Sequence, residues 1–322
     1  MNTFIQRLPL TALAGLLALA LPAAAQQEAT YSQYMFNMMA VNPAYAGSRD
    51  VLSLTALHRQ NFSGIEGAPM TQTFTADAPV QRERVGLGFQ VYNDRAGALG
   101  STGLYGSYAF RVKLTDRGTL ALGLSAGVTN FRGDLASINT GQSDLAFSAN
   151  ISKFLPNFGT GIYYSTDRFY VGASVPQLVR GRINEYSSRT TDRYARQERH
   201  YFAMAGVVFP LGPSLMLKPS AMVKGVAGAP LTYDLNTNLW INNRIALGAS
   251  YRTSNPAFRA QGMNTRLGDA VVGMVELQLT DQFRFGYAYD HPLNNLGFTG
   301  HEFMIRYEFG FVRNKILTPR YF

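Results

Sequence analysis

A period of two runs through most of this chain and constrains what it can fold into more than any other feature. Between residues 102 and 129 two segments meet at a four-residue turn. In the second, Leu120, Leu122, Leu124, Ala126 and Val128 alternate with Thr119, Ala121, Gly123, Ser125, Gly127 and Thr129. In the first, Leu104, Tyr108, Phe110, Val112 and Leu114 are set against Ser101, Gly103, Tyr105, Ser107, Arg111 and Lys113. Successive side chains of a β-strand point to opposite faces, so each segment reads as a strand with one apolar and one small or polar side. Thr115-Asp116-Arg117-Gly118 between them are turn formers, with glycine where a tight hairpin favours it.

The unit recurs to the C-terminus. Fourteen candidate strands have centres near Leu54, Phe74, Phe89, Tyr108, Leu124, Ile162, Val171, Ala205, Ala221, Leu235, Leu247, Val275, Phe285 and Ile305. From the second strand on, every other link is short: Pro79 to Arg84, Thr115 to Gly118, Ser165 to Arg168, Leu211 to Ser214, Asn242 to Arg244 and Thr280 to Gln282. The intervening links are longer on the whole, notably Asn130 to Pro156, Gln177 to Arg199 and Thr253 to Gly268. An even strand count with short turns at one end and long loops at the other predicts an all-β fold, a transmembrane up-and-down antiparallel barrel. It must close on itself, because backbone groups in lipid have no water to bond.

A soluble β-sandwich would bury the same apolar face, and periodicity alone does not separate the two. Three features favour the barrel. The small face carries Arg111, Lys218, Lys224, Asp234, Arg244, Arg252, Arg284, Glu302 and Arg306, which suits a wet or plugged lumen. Tyr163, Tyr164, Phe169, Tyr170, Tyr287 and Tyr289 gather near strand ends, as interfacial girdles do. The loops differ systematically in length.

Residues 1–25 read as a secretory signal, with Arg7 before an apolar run from Leu8 to Leu21 and Ala23-Ala24-Ala25 at the cleavage site. Residues 26–48 form an irregular N-terminal segment, either periplasmic or folded into the lumen as a plug. Residues 49–311 are the outer-membrane barrel and 312–322 a short periplasmic tail. Beyond the signal no apolar run is long enough for a membrane-spanning helix. The absence of cysteine excludes disulfides, thiolate metal sites and a lipid-modified N-terminal cysteine. A formal charge of +9, or +8 without Arg7, suits lipid phosphates or an anionic partner better than nucleic acid in an exported protein.

The chemistry of catalysis is missing. Gly123-Leu124-Ser125-Ala126-Gly127 matches the nucleophile-elbow pattern, but that motif needs a strand-to-helix turn, and these residues alternate in mid-strand. His58, His200, His291 and His301 show no metal-ligand spacing, and Gly86 and Gly88 open no helix that would hold a nucleotide. The expectation is a non-enzymatic protein without cofactor or metal. Arg180, Arg182, Arg189, Arg193, Arg196 and Arg199 make the loop before the eighth strand basic. It is either a plain solvated loop or an extracellular contact for lipopolysaccharide phosphates.

Two N-terminal blocks carry a resemblance. They are Ser32-Gln33-Tyr34-Met35-Phe36-Asn37 and Asn42-Pro43-Ala44-Tyr45-Ala46-Gly47. With Arg59-Gln60-Asn61-Phe62, Gly64-Ile65-Glu66-Gly67-Ala68-Pro69 and the ending Thr318-Pro319-Arg320-Tyr321-Phe322, they resemble the PorP/SprF family of outer-membrane proteins of the Bacteroidetes type IX secretion system. Met38 and Phe62 depart mildly from that pattern. The resemblance implies a component that docks the periplasmic machinery and supports export or surface attachment of secreted proteins such as adhesins. The implied partners are ring proteins of the PorK/PorN or GldK/GldN type, a peptidoglycan-binding lipoprotein, the cargo adhesin, and outer-membrane lipid. Partner-docking candidates are Ser32, Gln33, Tyr34, Met35, Phe36, Asn42, Pro43, Ala44, Tyr45, Gly47, Gly64, Glu66, Gly67 and Pro69, with Pro319, Arg320, Tyr321 and Phe322 in the tail. The competing reading is a passive porin or hydrophobic-solute channel.

Overall fold

The structure, a computed structural model, describes residues 31–81, 83–137, 149–183, 196–227, 229–254, 269–293 and 298–310. The expected signal at 1–25, the tail at 312–322 and Arg189 and Arg193 lie outside the described residues. The strands are β1 (Leu52–Gln60), β2 (Met70–Val80), β3 (Val85–Ala96), β4 (Leu99–Lys113), β5 (Thr119–Gly133), β6 (Ile151–Ser165), β7 (Phe169–Val175), β8 (His200–Val207), β9 (Phe209–Pro210), β10 (Leu215–Val226), β11 (Thr232–Ile241), β12 (Ile245–Ser254), β13 (Ala270–Gln278), β14 (Phe283–Pro292) and β15 (Gly300–Phe309). Each pairs antiparallel with its neighbours, and β15 returns to β1, so the sheet is a closed cylinder without an edge strand. β9 keeps the register of β8 against β10, from Gly206↔Ser220 to Phe209↔Leu217. The two are one stave, interrupted across from Lys218-Pro219, where the proline has no N–H to give. Fourteen staves result, and all fourteen predicted centres fall within them.

Local chemistry sets the short turns. At 166–168 the Thr166 hydroxyl accepts the N–H groups of Arg168 and Phe169, at 3.2 and 3.1 Å. At 279–282 Thr280 does the same for Gln282 and Phe283, at 3.3 and 3.0 Å. Thr-Asp stands in both turns, a side-chain-templated bend used twice at one end of the barrel; Thr115-Asp116 repeats the pair in a turn closed by the backbone bonds of Thr115 and Gly118. These turns share an end with the start of β1 and the finish of β15, here called the terminal end. The opposite end holds the long loops, with two short links among them: residues 227–231 join β10 to β11, and Gly97-Ala98 alone joins β3 to β4, Gly97 taking φ +58°.

Three expectations are corrected. The predicted loop from Asn130 to Pro156 loses both ends to β5 and β6, which run on to Gly133 and Ile151. Pro156 lies inside β6, where a missing N–H would ordinarily cost a ladder bond. However, β7 pairs with β6 only from Thr160 on, and the Phe158 carbonyl accepts from Leu178 on that side. Pro156 has the same parity, so its missing N–H faces a side with no strand to need it. Tyr163 and Tyr170 are not girdle residues; both point inward and are buried. Nearness to a strand end suggested otherwise, but parity decides, since Tyr163 shares its face with Leu155, Asn157 and Gly161. Arg244 leaves the luminal set because it sits exposed in the turn between β11 and β12.

The remaining faces follow the alternation. Leu87, Phe89, Leu104, Phe110, Leu122, Leu124, Phe158, Leu235, Leu247 and Ile305 stand exposed outside, a belt of the kind that meets lipid. The core lies inside the cylinder, where residues 31–48 fill the lumen. Glycines make the room: a Cβ on Gly86 would overlap the Ala46 carbonyl, and one on Gly123 would sit 2.2 Å from the Ala44 nitrogen. Gly123→Val is therefore expected to lower folded stability by about 1–3 kcal/mol. Gly106→Val, on the outer face with nothing within 4 Å, should be nearly neutral. The temperature at which the folded band disappears on unboiled gels compares the two.

Candidate functional site

Residues 31–50 are short of any repeating pattern and adopt three single-turn 3-10 helices, Tyr34–Phe36, Met38–Ala40 and Pro43–Tyr45. The last is built locally. Asn42 caps it by accepting the Ala44 N–H at 3.0 Å, and Pro43 occupies the first position, where an N–H would go unused. The Asn42 amide also donates to the Ile162 carbonyl at 3.1 Å, tying this turn to β6.

The segment enters near the long-loop end and descends to the terminal end, bonded to the wall at three levels. At the top, the Glu302 carboxylate accepts the backbone N–H groups of Ser32 and Gln33, both at 2.8 Å, and Arg59 at 2.9 Å. Asp290 accepts Arg59 at 2.6 Å, Arg252 at 3.3 Å and the Ser32 hydroxyl at 2.8 Å, while Arg252 also holds Asp234 at 2.6 Å. Two cations face three carboxylates here, and the plug's own N–H groups and hydroxyl supply the missing donors. Halfway down, Asn236 donates to the Tyr34 hydroxyl at 3.0 Å, Thr75 to Asn37 at 3.0 Å, and Ser174 to the Val41 carbonyl at 2.6 Å. At the bottom, Asp77 accepts the Gly47 N–H at 2.9 Å, and Arg111 reaches the Gly47 carbonyl at 2.6 Å and Asp50 at 3.0 Å. Arg49 pairs with Glu308 at 2.5 Å. Tyr45 meets the Tyr163 ring edge-on at 5.4 Å.

The docking candidates therefore divide. Ser32, Gln33, Tyr34, Met35, Phe36, Asn42, Pro43, Ala44, Tyr45 and Gly47 are buried inside the barrel. Gly64, Glu66, Gly67 and Pro69 lie at the long-loop end, on a loop folded across the rim. There Ser63 N–H reaches the Thr299 carbonyl at 3.0 Å, Gly97 N–H the Gly67 carbonyl at 2.8 Å, and Phe62 packs on Phe298. Gly64 and Gly67 take φ +92° and +73° in this loop, a conformation other residues rarely adopt. Of the basic loop, Arg180 pairs with Glu198 at 3.2 Å, Arg199 donates to the Leu178 carbonyl, and Arg182 and Arg196 face each other across a β-bridge. The sequence reading missed Arg49, Arg59, Asp77, Glu276, Asp290 and Glu308 as luminal groups. For the strand residues the signal existed: carrying the parity of Ser53, Thr55 and Leu57 forward reaches Arg59, and that of Arg284, Gly286 and Ala288 reaches Asp290.

A family model described as type IX secretion system membrane protein PorP/SprF matches residues 23–307. No curated protein matches. Solved structures that resemble the chain include a deletion mutant of the TodX monoaromatic hydrocarbon channel, with 10% identity, 84% of this chain and 93% of that one covered, and a TM-score of 0.51. A Pseudomonas aeruginosa FadL homologue has 14% identity, with 89% and 96% covered and a TM-score of 0.47. The Ralstonia pickettii toluene transporter TbuX has 11% identity, with 85% and 93% covered and a TM-score of 0.48. At such identity the likeness to the TodX channel is one of fold alone.

Removing the Glu302 carboxylate leaves Arg59 short of a partner and two backbone N–H groups unmet. Glu302→Ala is expected to weaken the latch by about 3–5 kcal/mol, Glu302→Gln by less. Because the chain has no native cysteine, a thiol placed by Met38→Cys reports on the plug directly. It should resist a maleimide in the otherwise unaltered barrel and react once Glu302→Ala is added, with ion conductance in planar bilayers rising in parallel.

Proposed function

Since the chain belongs to the PorP/SprF family of type IX secretion system membrane proteins, we propose that this outer-membrane barrel acts as a fixed post for protein export, not as a pore. One observation carries the reading: the lumen is filled by the chain's own residues 31–48, bonded to the wall at top, middle and bottom. An open porin needs a continuous aqueous lumen, which residues 31–48 interrupt, so the passive-porin alternative finds no support there. The terminal end, with its short turns and the finish of β15, faces the periplasm as in bacterial barrels generally. Its turns and the tail with Pro319, Arg320, Tyr321 and Phe322 serve as the docking strip for ring proteins of the PorK/PorN or GldK/GldN type and for a peptidoglycan-binding lipoprotein. The long-loop end faces outward. There the Gly64–Pro69 rim receives exported proteins such as adhesins, and Arg180, Arg182, Arg196 and Arg199 meet lipopolysaccharide phosphates. The role is binding, without catalysis or cofactor.

Affinity purification of the tagged protein from membranes tests this. Ring proteins and a surface adhesin should co-purify, and removal of residues 312–322 should lose the ring proteins while sparing the adhesin. A barrel recovered alone after mild cross-linking would overturn the reading.

A further inference from the structure

On the lipid side of the wall, cross-strand rows record where the hydrocarbon ends. One row runs through Ile305, Ala56, Phe74, Val91, Leu104 and Val128, and every side chain in it is apolar. Two residues nearer the long loops the row holds Phe303, His58, Gln72, Asn93, Thr102 and Asn130, and polar groups predominate. Two residues beyond that it reads His301, Gln60, Met70, Arg95, Gly100 and Arg132. Four residues of a tilted strand climb about 10 Å, so this third row stands at the height of lipid headgroups. An aromatic pair marks the same level, Tyr289 packing on His301 at 5.3 Å.

Two arginines flank a bare glycine in that row. Arg95 on β3 and Arg132 on β5 are both direct neighbours of Gly100 on β4, which puts their backbones about 10 Å apart. No side chain stands between them: a Cβ on Gly100 would meet only the Asp94 carbonyl at 3.8 Å and the Arg95 stem at 3.9 Å. Both arginines are exposed, and among the described residues neither forms an ion pair. Arg132 donates to the neutral Asn130 amide oxygen at 3.1 Å. Two guanidinium groups beside one open position can converge on a single phosphate, each with a fork of N–H donors. On the other flank of Arg95 the wall carries a niche of about 240 Å³, bordered by Gln60, Met70 and Arg95 and overhung by Ile65, Gly67 and Ala68 of the loop after β1. A space of about 150 Å³ admits a benzene ring, so this one has room for a sugar ring, with Gln60 to bond its hydroxyls. Because niche and arginines lie on the outward face, their occupant comes from the bilayer.

We propose that Arg95, Gly100 and Arg132 form a site for the phosphate of an outer-leaflet glycolipid, with the adjoining sugar in the niche under Ile65 and Ala68. The inference rests on the outward orientation of the long-loop end and deepens it: a bound lipid sits at the foot of the Gly64–Pro69 rim, on a different stretch of wall from the basic loop before β8.

Retention of lipid by the full mature protein tests it. Stripped of lipid in detergent and mixed with lipid A, the protein should carry a bound lipid A in native mass spectrometry. Arg95→Gln combined with Arg132→Gln should lower that retention several-fold. So should Gly100→Val, which fills the position between the arginines and leaves their charge in place, with gel shift on unboiled samples confirming that each variant is folded. Dephosphorylated lipid A should be held several-fold less well. Undiminished retention by the double variant overturns the proposal, and so does equal retention of the dephosphorylated lipid. Displacement by inorganic phosphate would assign the site to a free anion, and equal retention of phosphatidylglycerol would assign it to ordinary phospholipid; either result overturns it too. Recovery of ring proteins and adhesin keeps the wider reading apart, since their absence from the unaltered protein sinks that reading while lipid retention still decides this one.

Discussion

The guanidinium of Arg59, held between Glu302 at 2.9 Å and Asp290 at 2.6 Å, joins the first strand to the last two. Closure of a barrel depends on the pairing of its first and last strands, and here the seam is bonded twice. Backbone ladders run between β1 and β15, and beneath them the luminal ion pairs reach across. Ser32 and Gln33 add the plug to the same carboxylates. Buried ion pairs add little net stability compared with apolar groups of the same shape, but they tolerate few alternative arrangements. Their contribution here is to specify which residues meet when the ends of the chain come together.

Space for the plug is made by the wall, not by the plug. Gly86, Gly88, Gly123 and Gly161 lie where side chains would strike Ala46, Met39, Ala44 or Asn42. In between, methionines fill the irregular gaps, Met35 and Met38 being fully buried. A cylinder with an apolar exterior, a bonded interior and no free edge is rigid by construction. The two ends differ in what they display: compact turns at one, a glycine-shaped rim and a cavity at the other.

Several features were legible because they are local. Strand positions and the identity of the two faces come from a repeat of two residues, and the short turns from the brief gaps between those repeats, as at Thr115-Asp116-Arg117-Gly118. Errors arose where a local mark was trusted over parity. Tyr163 and Tyr170 stand near strand ends yet point inward, and Pro156 lies within a strand because the side that lacks an N–H has no neighbour there. Arg244 was counted on a face although it occupies a turn.

The sequence by itself determined that this chain makes fourteen two-faced ribbons linked alternately by tight and longer connections, because side-chain direction in a strand depends only on whether a residue is odd or even. Tertiary structure alone decided what each face meets and where residues 31–48 go. Those residues have no period to read, and their partners stand far away in the chain, as with Ser32 and Glu302, separated by 270 positions. Contacts of that range exist only once the cylinder has closed around them.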